Sequence, residues 1–212
     1  QQGGNIYKWY FPLKDKIKSP IRKKRAEKAQ KHGLEAGRRL QVRYHLRTQA
    51  GAFITESENV RFEDVNMHFM HGLGIIGQCS KNLTFERVTC APRNKTGRTN
   101  AAFADFMHFN SVRGKIAVKD CIFSGSQDDG INIHGTHLKF LDKLTDDTIT
   151  CAFMHPQTMG FQVFKPKDKI EFVNPLTLRP IASDVVEKSR LLNSKVVELT
   201  LFDPVPKGVI HG

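Results

Sequence analysis

No run of about 18 apolar residues occurs in the chain, which excludes a membrane-spanning helix. No Cys-x-x-Cys pair occurs among the four cysteines (Cys79, Cys90, Cys121 and Cys151), which argues against a zinc ribbon or a thioredoxin-type site. Their spacing leaves open whether they pair or stay as buried thiols. Glycine (16) and proline (9) are too sparse among 212 residues for a collagen-like or low-complexity chain. Disorder is excluded as well, because hydrophobic residues make up 39% and charged residues 25%. The chain begins with Gln1 rather than Met, so it is expected to be a processed form or a fragment.

What charge there is sits in one place. The formal net charge is +12, but residues 8–47 hold 14 basic against 3 acidic residues, while 48–212 hold 19 against 18. Much of the excess lies in SPIRKKRAEKAQKHG, which reads as a helix with Ser19 as N-cap, Pro20 at the first helical position and Gly33 just past the end. The helix carries no aromatic residue to stack on a base. It is therefore read as a solvated lysine-rich face, with attraction to an acidic polysaccharide as its second use and no nucleic-acid partner.

The middle of the chain repeats. SENVRFEDVNM (57–67) and SKNLTFERVTC (80–90) match at Ser57 and Ser80, Asn59 and Asn82, Phe62 and Phe85, Glu63 and Glu86, and Val65 and Val88, each pair 23 residues apart. A third copy, GKIAVKDCIF (114–123), follows 33 residues later, with the extra ten placed in the polar stretch APRNKTGRTN. It puts Ile116, Val118 and Cys121 in the apolar slots. Short β-branched and aromatic runs of period two, repeated at this spacing without a leucine framework, predict an all-β solenoid. The specific expectation is a right-handed parallel β-helix of about 23-residue coils, each coil burying its apolar edge on the next. Asn59 and Asn82 suit a turn, where a stacked asparagine ladder would form. The flanks read as small antiparallel β-barrel modules: GLEAGRRLQVRYHL on one side, and KPKDKIEFV with the strand–turn–strand pattern of residues 182–208 on the other. The expected division is a basic module over 1–47, the β-helix over 48–140 and a second barrel module over 141–212, whose end at KGVIHG falls inside the module.

The period carries a prediction about chemistry. Asp105 and Asp128 are 23 apart, so adjacent coils should stack them about 4.8 Å apart at the backbone. Two like charges that close disfavour joint ionisation, which is costly in a structural position and useful in an active site. Alternation in QDDGINIHG turns Ile131 and Ile133 inward and Asp128, Gly130, Asn132 and His134 outward. Asp129 joins the outward set only if a bend at Gly130 turns it. Strict alternation from Asp105 turns His108 inward, yet it stays a candidate contact, as does His71 in MHGLGIIGQ. A strip of carboxylate, amide and imidazole groups suits a sugar. His68 and His71, like His134 and His137, are three apart, but on strand or turn rather than helix, so neither pair is read as a metal site.

At these residues the chain resembles a known family. HFMHGLGIIGQCSKNLTFERV, GRTNAAFADFMHFNSVRGKIAVKDCIF and QDDGINIHGTHL are similar to glycoside hydrolase family 110, over residues 38 to 140 most closely. The resemblance implies exo-acting α-galactosidases that cleave terminal α-1,3-linked galactose, including the blood-group B type. It also implies a parallel β-helix with β-barrel modules, no cofactor, and inversion at the anomeric carbon. It places the catalytic carboxylates at Asp105, Asp128 and Asp129; His71, His108, Asn132 and His134, read from the strand pattern, are the expected substrate contacts. The partner is then an α-galactoside-terminated oligosaccharide or polysaccharide, and a periplasmic or secreted location follows from the family and the substrate. β-Helices with added modules often associate, so a homodimer is expected. The later coils of the family are absent, which again points to a fragment.

An inverting reaction needs about 6.5–9.5 Å between its two carboxyls, and stacked backbones give less. Pairing Asp105 with Asp129 round a corner would widen the gap. Two alternatives remain. One is a polygalacturonase-like hydrolase of an acidic polysaccharide, which shares the Asp-Asp pair and His-Gly but should show Asn-Thr-Asp upstream and Arg-Ile-Lys downstream, both missing here. The other is a non-catalytic carbohydrate-binding β-helix fragment.

Overall fold

The computed structural model describes residues 49–156 and 158–209, all within one compact unit over 45–212. The expected helix after Ser19 and the whole 1–47 module lie outside them. All regular structure among the described residues is β, in fifteen strands.

The first nine strands come in triplets. β1 (Ala50–Thr55), β2 (Glu58–Glu63) and β3 (Asn66–Met67) form the first layer, and β4 (Leu73–Gln78), β5 (Lys81–Glu86) and β6 (Thr89–Cys90) the second. β7 (Met107–Asn110), β8 (Arg113–Lys119) and β9 (Ile122–Phe123) form the third, and β10 (Ile131–His134) follows alone. Each layer gives one strand to each of three parallel sheets, in the orders β1-β4-β7-β10, β2-β5-β8 and β3-β6-β9. The registers follow the repeat: Ala50 pairs with Leu73, Phe62 with Phe85 and Asn66 with Thr89. The third layer enters one residue earlier than the expected spacing, Ile75 pairing with Met107. A register shift at Gly114 then restores the spacing, so Leu83 pairs with Ile116.

The layers turn on left-handed corners. Glu56, Cys79 and Ser111 (φ 46°, 49° and 54°) close the first strand of each layer, and Asp64, Arg87 and Asp120 (φ 56°, 53° and 51°) close the second. Asn59 and Asn82 share that conformation, at φ 57° and 55°. Asn82 Nδ2 donates to Asn59 Oδ1 at 3.0 Å, and Lys115 N donates to Asn82 Oδ1 at 3.1 Å. The ladder stops at Gly114, where a Cβ would sit 2.3 Å from Asn82 Oδ1. Inside, Phe62, Phe85 and Phe109 stack at centroid separations of 5.5 and 5.4 Å, surrounded by Ile75, Leu83, Val88 and Met107. Burying each such ring is worth about 1.5–3 kcal/mol.

Ile131 and Ile133 correct the expected burial. In register with the buried Met107 and Phe109 they share the core-facing side, yet they are 40% and 58% exposed. The cause is position: among the described residues β10 ends its sheet, and no strand lies over it.

The chain then changes sheet type. β11 (Leu138–Lys143), β12 (Thr148–Phe153), β13 (Lys169–Val173), β14 (Pro180–Asn193) and β15 (Val196–Leu201) form one antiparallel sheet, ordered β11-β12-β15-β14-β13. Its own core holds Ile149, Cys151, Val186, Val197, Leu199 and Leu201. Arg113 on β8 ties the two sheet systems together, donating to the Asp168 carboxylate and, at 3.1 Å, to Val163 O. The Asp168 carboxyl resists ionisation through partial burial, but hydrogen bonds from Arg113 and from the Lys165 amide bring it below its ordinary range. All four cysteines are free thiols, and desolvation pushes those of Cys90 and Cys151 up to about 12.

Candidate active site

The site lies where β7 and β10 meet. Its first member depends on a close approach by Gly74, whose N donates to Asp105 O at 2.8 Å. A Cβ on Gly74 would lie 2.2 Å from Phe106 O, so no larger residue fits there without moving Asp105. Ile75 N donates to Phe106 O at 2.7 Å, and the regular strand starts only at Met107. Asp105 itself is 3% exposed.

The opposing segment runs from β9 into β10. Ala101 N donates to Gly125 O at 2.8 Å, and Ser126 Oγ donates to Asp128 O at 2.7 Å. Phe106 N and Met107 N then donate to Asp129 O and Gly130 O at 3.0 and 3.2 Å. These bonds, continued by Met107 opposite Ile131, set the spacing between the layers at 24 residues. That corrects the predicted stack: the backbone neighbour of Asp105 is Asp129, because this turn holds one residue more than the 23 between the first two layers. Asp128 still joins, since Asp128 and Asp129 precede the strand and escape its alternation. Carboxylate oxygens of Asp105, Asp128 and Asp129 all lie within 4.8 Å of one another, the first buried and the other two exposed. Among the described residues this is the point where three such groups converge, and a cation bound there would occupy the very oxygens that acid–base chemistry needs.

The outward strip forms with one change. Asn132 pairs with His108, and Asn132 Nδ2 lies 3.4 Å from Asp129 Oδ2. His108 points outward with it, contrary to strict alternation from Asp105, because alternation begins at Met107. It contacts Asp105 Oδ2 through Nδ1 at 2.7 Å and His134 Nε2 through Nε2 at 3.0 Å. His134 Nδ1 in turn lies 2.7 Å from Gly135 O. Beneath His134, the buried Asn110 accepts from Thr136 Oγ1 at 2.7 Å. Asn110 was not singled out from sequence, because it pairs with His134 at 24 residues rather than the 23 of the repeat.

His71 is exposed and edge-on to Phe103 at 5.6 Å. Phe103 also meets Phe69 edge-on at 5.6 Å, and the Arg98 guanidinium lies 4.1 Å over the Phe69 ring. This aromatic group was not singled out from sequence. Of the other histidines, His68 contacts Ala91 O at 3.0 Å and is occupied by the fold.

The chain is similar to several known proteins. Residues 148–212 match the family described as GLAA-B beta-barrel domain II. The chain is 42% identical over 172 residues to Alpha-1,3-galactosidase A of Bacteroides fragilis, covering 81% of this chain and 28% of that protein. It is 41% identical over 176 residues to Alpha-1,3-galactosidase A of Akkermansia muciniphila, with 83% and 30% covered. Alpha-1,3-galactosidase B of the same organism is 33% identical over 180 residues, with 85% and 23% covered. The chain thus spans about three-tenths or less of the length of these relatives. The resemblance read from the sequence motifs is borne out.

Proposed function

We propose, for a chain that is a homologue of the α-1,3-galactosidases, that residues 48–140 are a right-handed parallel β-helix carrying a galactosidase site and 141–212 a β-barrel module beside it. The reaction is hydrolysis of a terminal α-1,3-linked galactose from an oligosaccharide or polysaccharide. The observation that carries this reading is the convergence of Asp105, Asp128 and Asp129 within 4.8 Å on adjoining strand layers. Three clustered acids oppose one another's ionisation, a cost that active sites commonly carry.

One of the acids protonates the glycosidic oxygen while a second takes a proton from the attacking water. The C–O bond to the leaving sugar breaks as the water oxygen bonds to the anomeric carbon. The reaction needs no cofactor. Asn132 and His71 are the polar groups proposed to meet the galactose hydroxyls, since both ring nitrogens of His134 already face Gly135 O and His108. Inversion is proposed from the resemblance to glycoside hydrolase family 110. A second reading, retention through a covalent galactosyl intermediate, is favoured by spacing, because oxygens within 4.8 Å lie nearer the roughly 5–5.5 Å of retaining pairs than the wider inverting gap. Rotation of the exposed Asp128 or Asp129 side chain, with Asp105 held in place, opens the gap that inversion requires. A periplasmic or secreted location and a homodimer belong to the same proposal.

The test is release of galactose from galactosyl-α-1,3-galactose, with pectate as the competing substrate. Asp105→Asn, Asp128→Asn and Asp129→Asn are compared with the parent chain. Loss of a working acid or base should cost about 10²–10⁴-fold in turnover with the fold retained. Near-normal turnover in all three variants, or activity on pectate instead, overturns the assignment.

A further inference from the structure

The hydrogen bonds leading away from Asp105 fix a proton count. A carbonyl oxygen only accepts, so the nitrogen facing Gly135 O at 2.7 Å, His134 Nδ1, carries a hydrogen. His134 Nε2 faces His108 Nε2 at 3.0 Å, and a bond between two ring nitrogens requires one hydrogen between them. His108 Nδ1 faces Asp105 Oδ2 at 2.7 Å, where again one hydrogen must lie between. Three contacts therefore hold three hydrogens, whereas two neutral imidazoles and one ionised carboxylate hold two. The chain Asp105–His108–His134 closes only with one additional proton, which leaves it without net charge.

We infer that His108 is a positioning residue for Asp105 rather than a sugar contact, and that His134 fixes the orientation of His108 in turn. Burial supports this division. Asp105 is 3% exposed and the His108 side chain 23%, while Asp128 and Asp129 face solvent. A buried carboxylate beside two others needs its charge matched locally, and His108 is the group in contact with it. With Oδ2 held by His108, Asp105 is fixed in one orientation and its other oxygen is left for water or the glycosidic oxygen. The relay also spans layers, since His108 is on β7 and His134 on β10, the strand that Asp128 and Asp129 lead into. The site is thereby tied together from both sides. The catalytic meaning rests on the proposed function above; the proton count stands without it.

Two-bond proton–nitrogen correlation spectra of the 15N-histidine-labelled chain at neutral pH test it. His134 is expected as the Nδ1–H form, and His108 with hydrogen on, or shared at, both nitrogens. Asp105→Asn should remove the additional proton and convert His108 to the neutral Nε2–H form, because an amide N–H then donates to its Nδ1. His134→Phe should release His108 into a mixture of forms. The backbone amide spectrum of each variant checks that the strands are intact. A His134 carrying hydrogen on Nε2 alone, or a His108 pattern that neither substitution changes, overturns the inference. The expected pattern without galactose release would refute the proposed function and leave the relay standing; galactose release with freely mixed imidazole forms would do the reverse.

Discussion

Replacing Gly74 with alanine probes the support of the site at one atom. The added Cβ would lie 2.2 Å from Phe106 O and 2.9 Å from both Phe106 C and Cα, whereas real Cβ contacts stay above 3.0 Å. All three neighbours are backbone, so the strands themselves must part, by on the order of 1 Å. That movement strains the bonds from Gly74 N to Asp105 O (2.8 Å) and from Ile75 N to Phe106 O (2.7 Å). Two weakened backbone bonds at about 0.5–1.5 kcal/mol each, with an overpacking cost of about 1–3 kcal/mol, give a loss of roughly 2–6 kcal/mol. A misplacement of about 1 Å can cost on the order of 10²-fold in turnover, so activity should fall further than the lost folded fraction explains. Urea unfolding measures the first effect and galactose release the second. Gly97→Ala is the control: no atom lies within 4 Å of its Cβ and φ is +71°, so it isolates backbone strain of about 1 kcal/mol. A Gly74→Ala chain within about 0.5 kcal/mol of the parent, with full turnover, would refute the argument.

The asparagine ladder makes its own prediction. Asn82→Ala loses two side-chain bonds and places alanine at φ 55°, so it should cost about 2–3 kcal/mol in urea unfolding, and Asn82→Gly should cost less. Cys90 and Cys151, with thiols pushed up to about 12 by desolvation, should resist a disulfide reagent at mildly alkaline pH and react once the chain is unfolded. Asp168 ionises more readily folded than unfolded, because Arg113 and the Lys165 amide together outweigh its desolvation. Its contribution is therefore present above the ordinary carboxyl range and lost as pH falls through the folded value. Asp168→Asn should accordingly flatten the acid limb of a stability–pH curve; an unchanged limb would show that the pair with Arg113 adds nothing.

The repeat was legible because five matching positions recur where parallel pairing demands the same register, Phe62 under Phe85 and Glu63 under Glu86 among them. The asparagine ladder was legible for a related reason: asparagine tolerates a left-handed corner that most residues avoid. The corners at Glu56, Cys79 and Arg87 were not, since those residue types carry no such preference and adopt the conformation because the stacked layers impose it. The convergence of the three acids was read correctly in outline and wrongly in register. One added residue before β10 moves the pairing from Asp128 to Asp129, and a connection of that kind leaves no periodic trace. His108 was misdirected by counting alternation back through Asp105, although the strand begins two residues later. The exposure of Ile131 and Ile133 depends on what lies above β10, which local pattern does not encode.

The most direct test of the central claim is proton NMR of a fresh digest of galactosyl-α-1,3-galactose, following which anomer of free galactose appears first. One carboxylic acid protonating the glycosidic oxygen and one carboxylate activating a water on the opposite face predict β-galactose first, with α-galactose growing only by mutarotation. α-Galactose first would show retention and contradict the inverting account; no galactose from this chain would contradict the assignment of a working site to Asp105, Asp128 and Asp129.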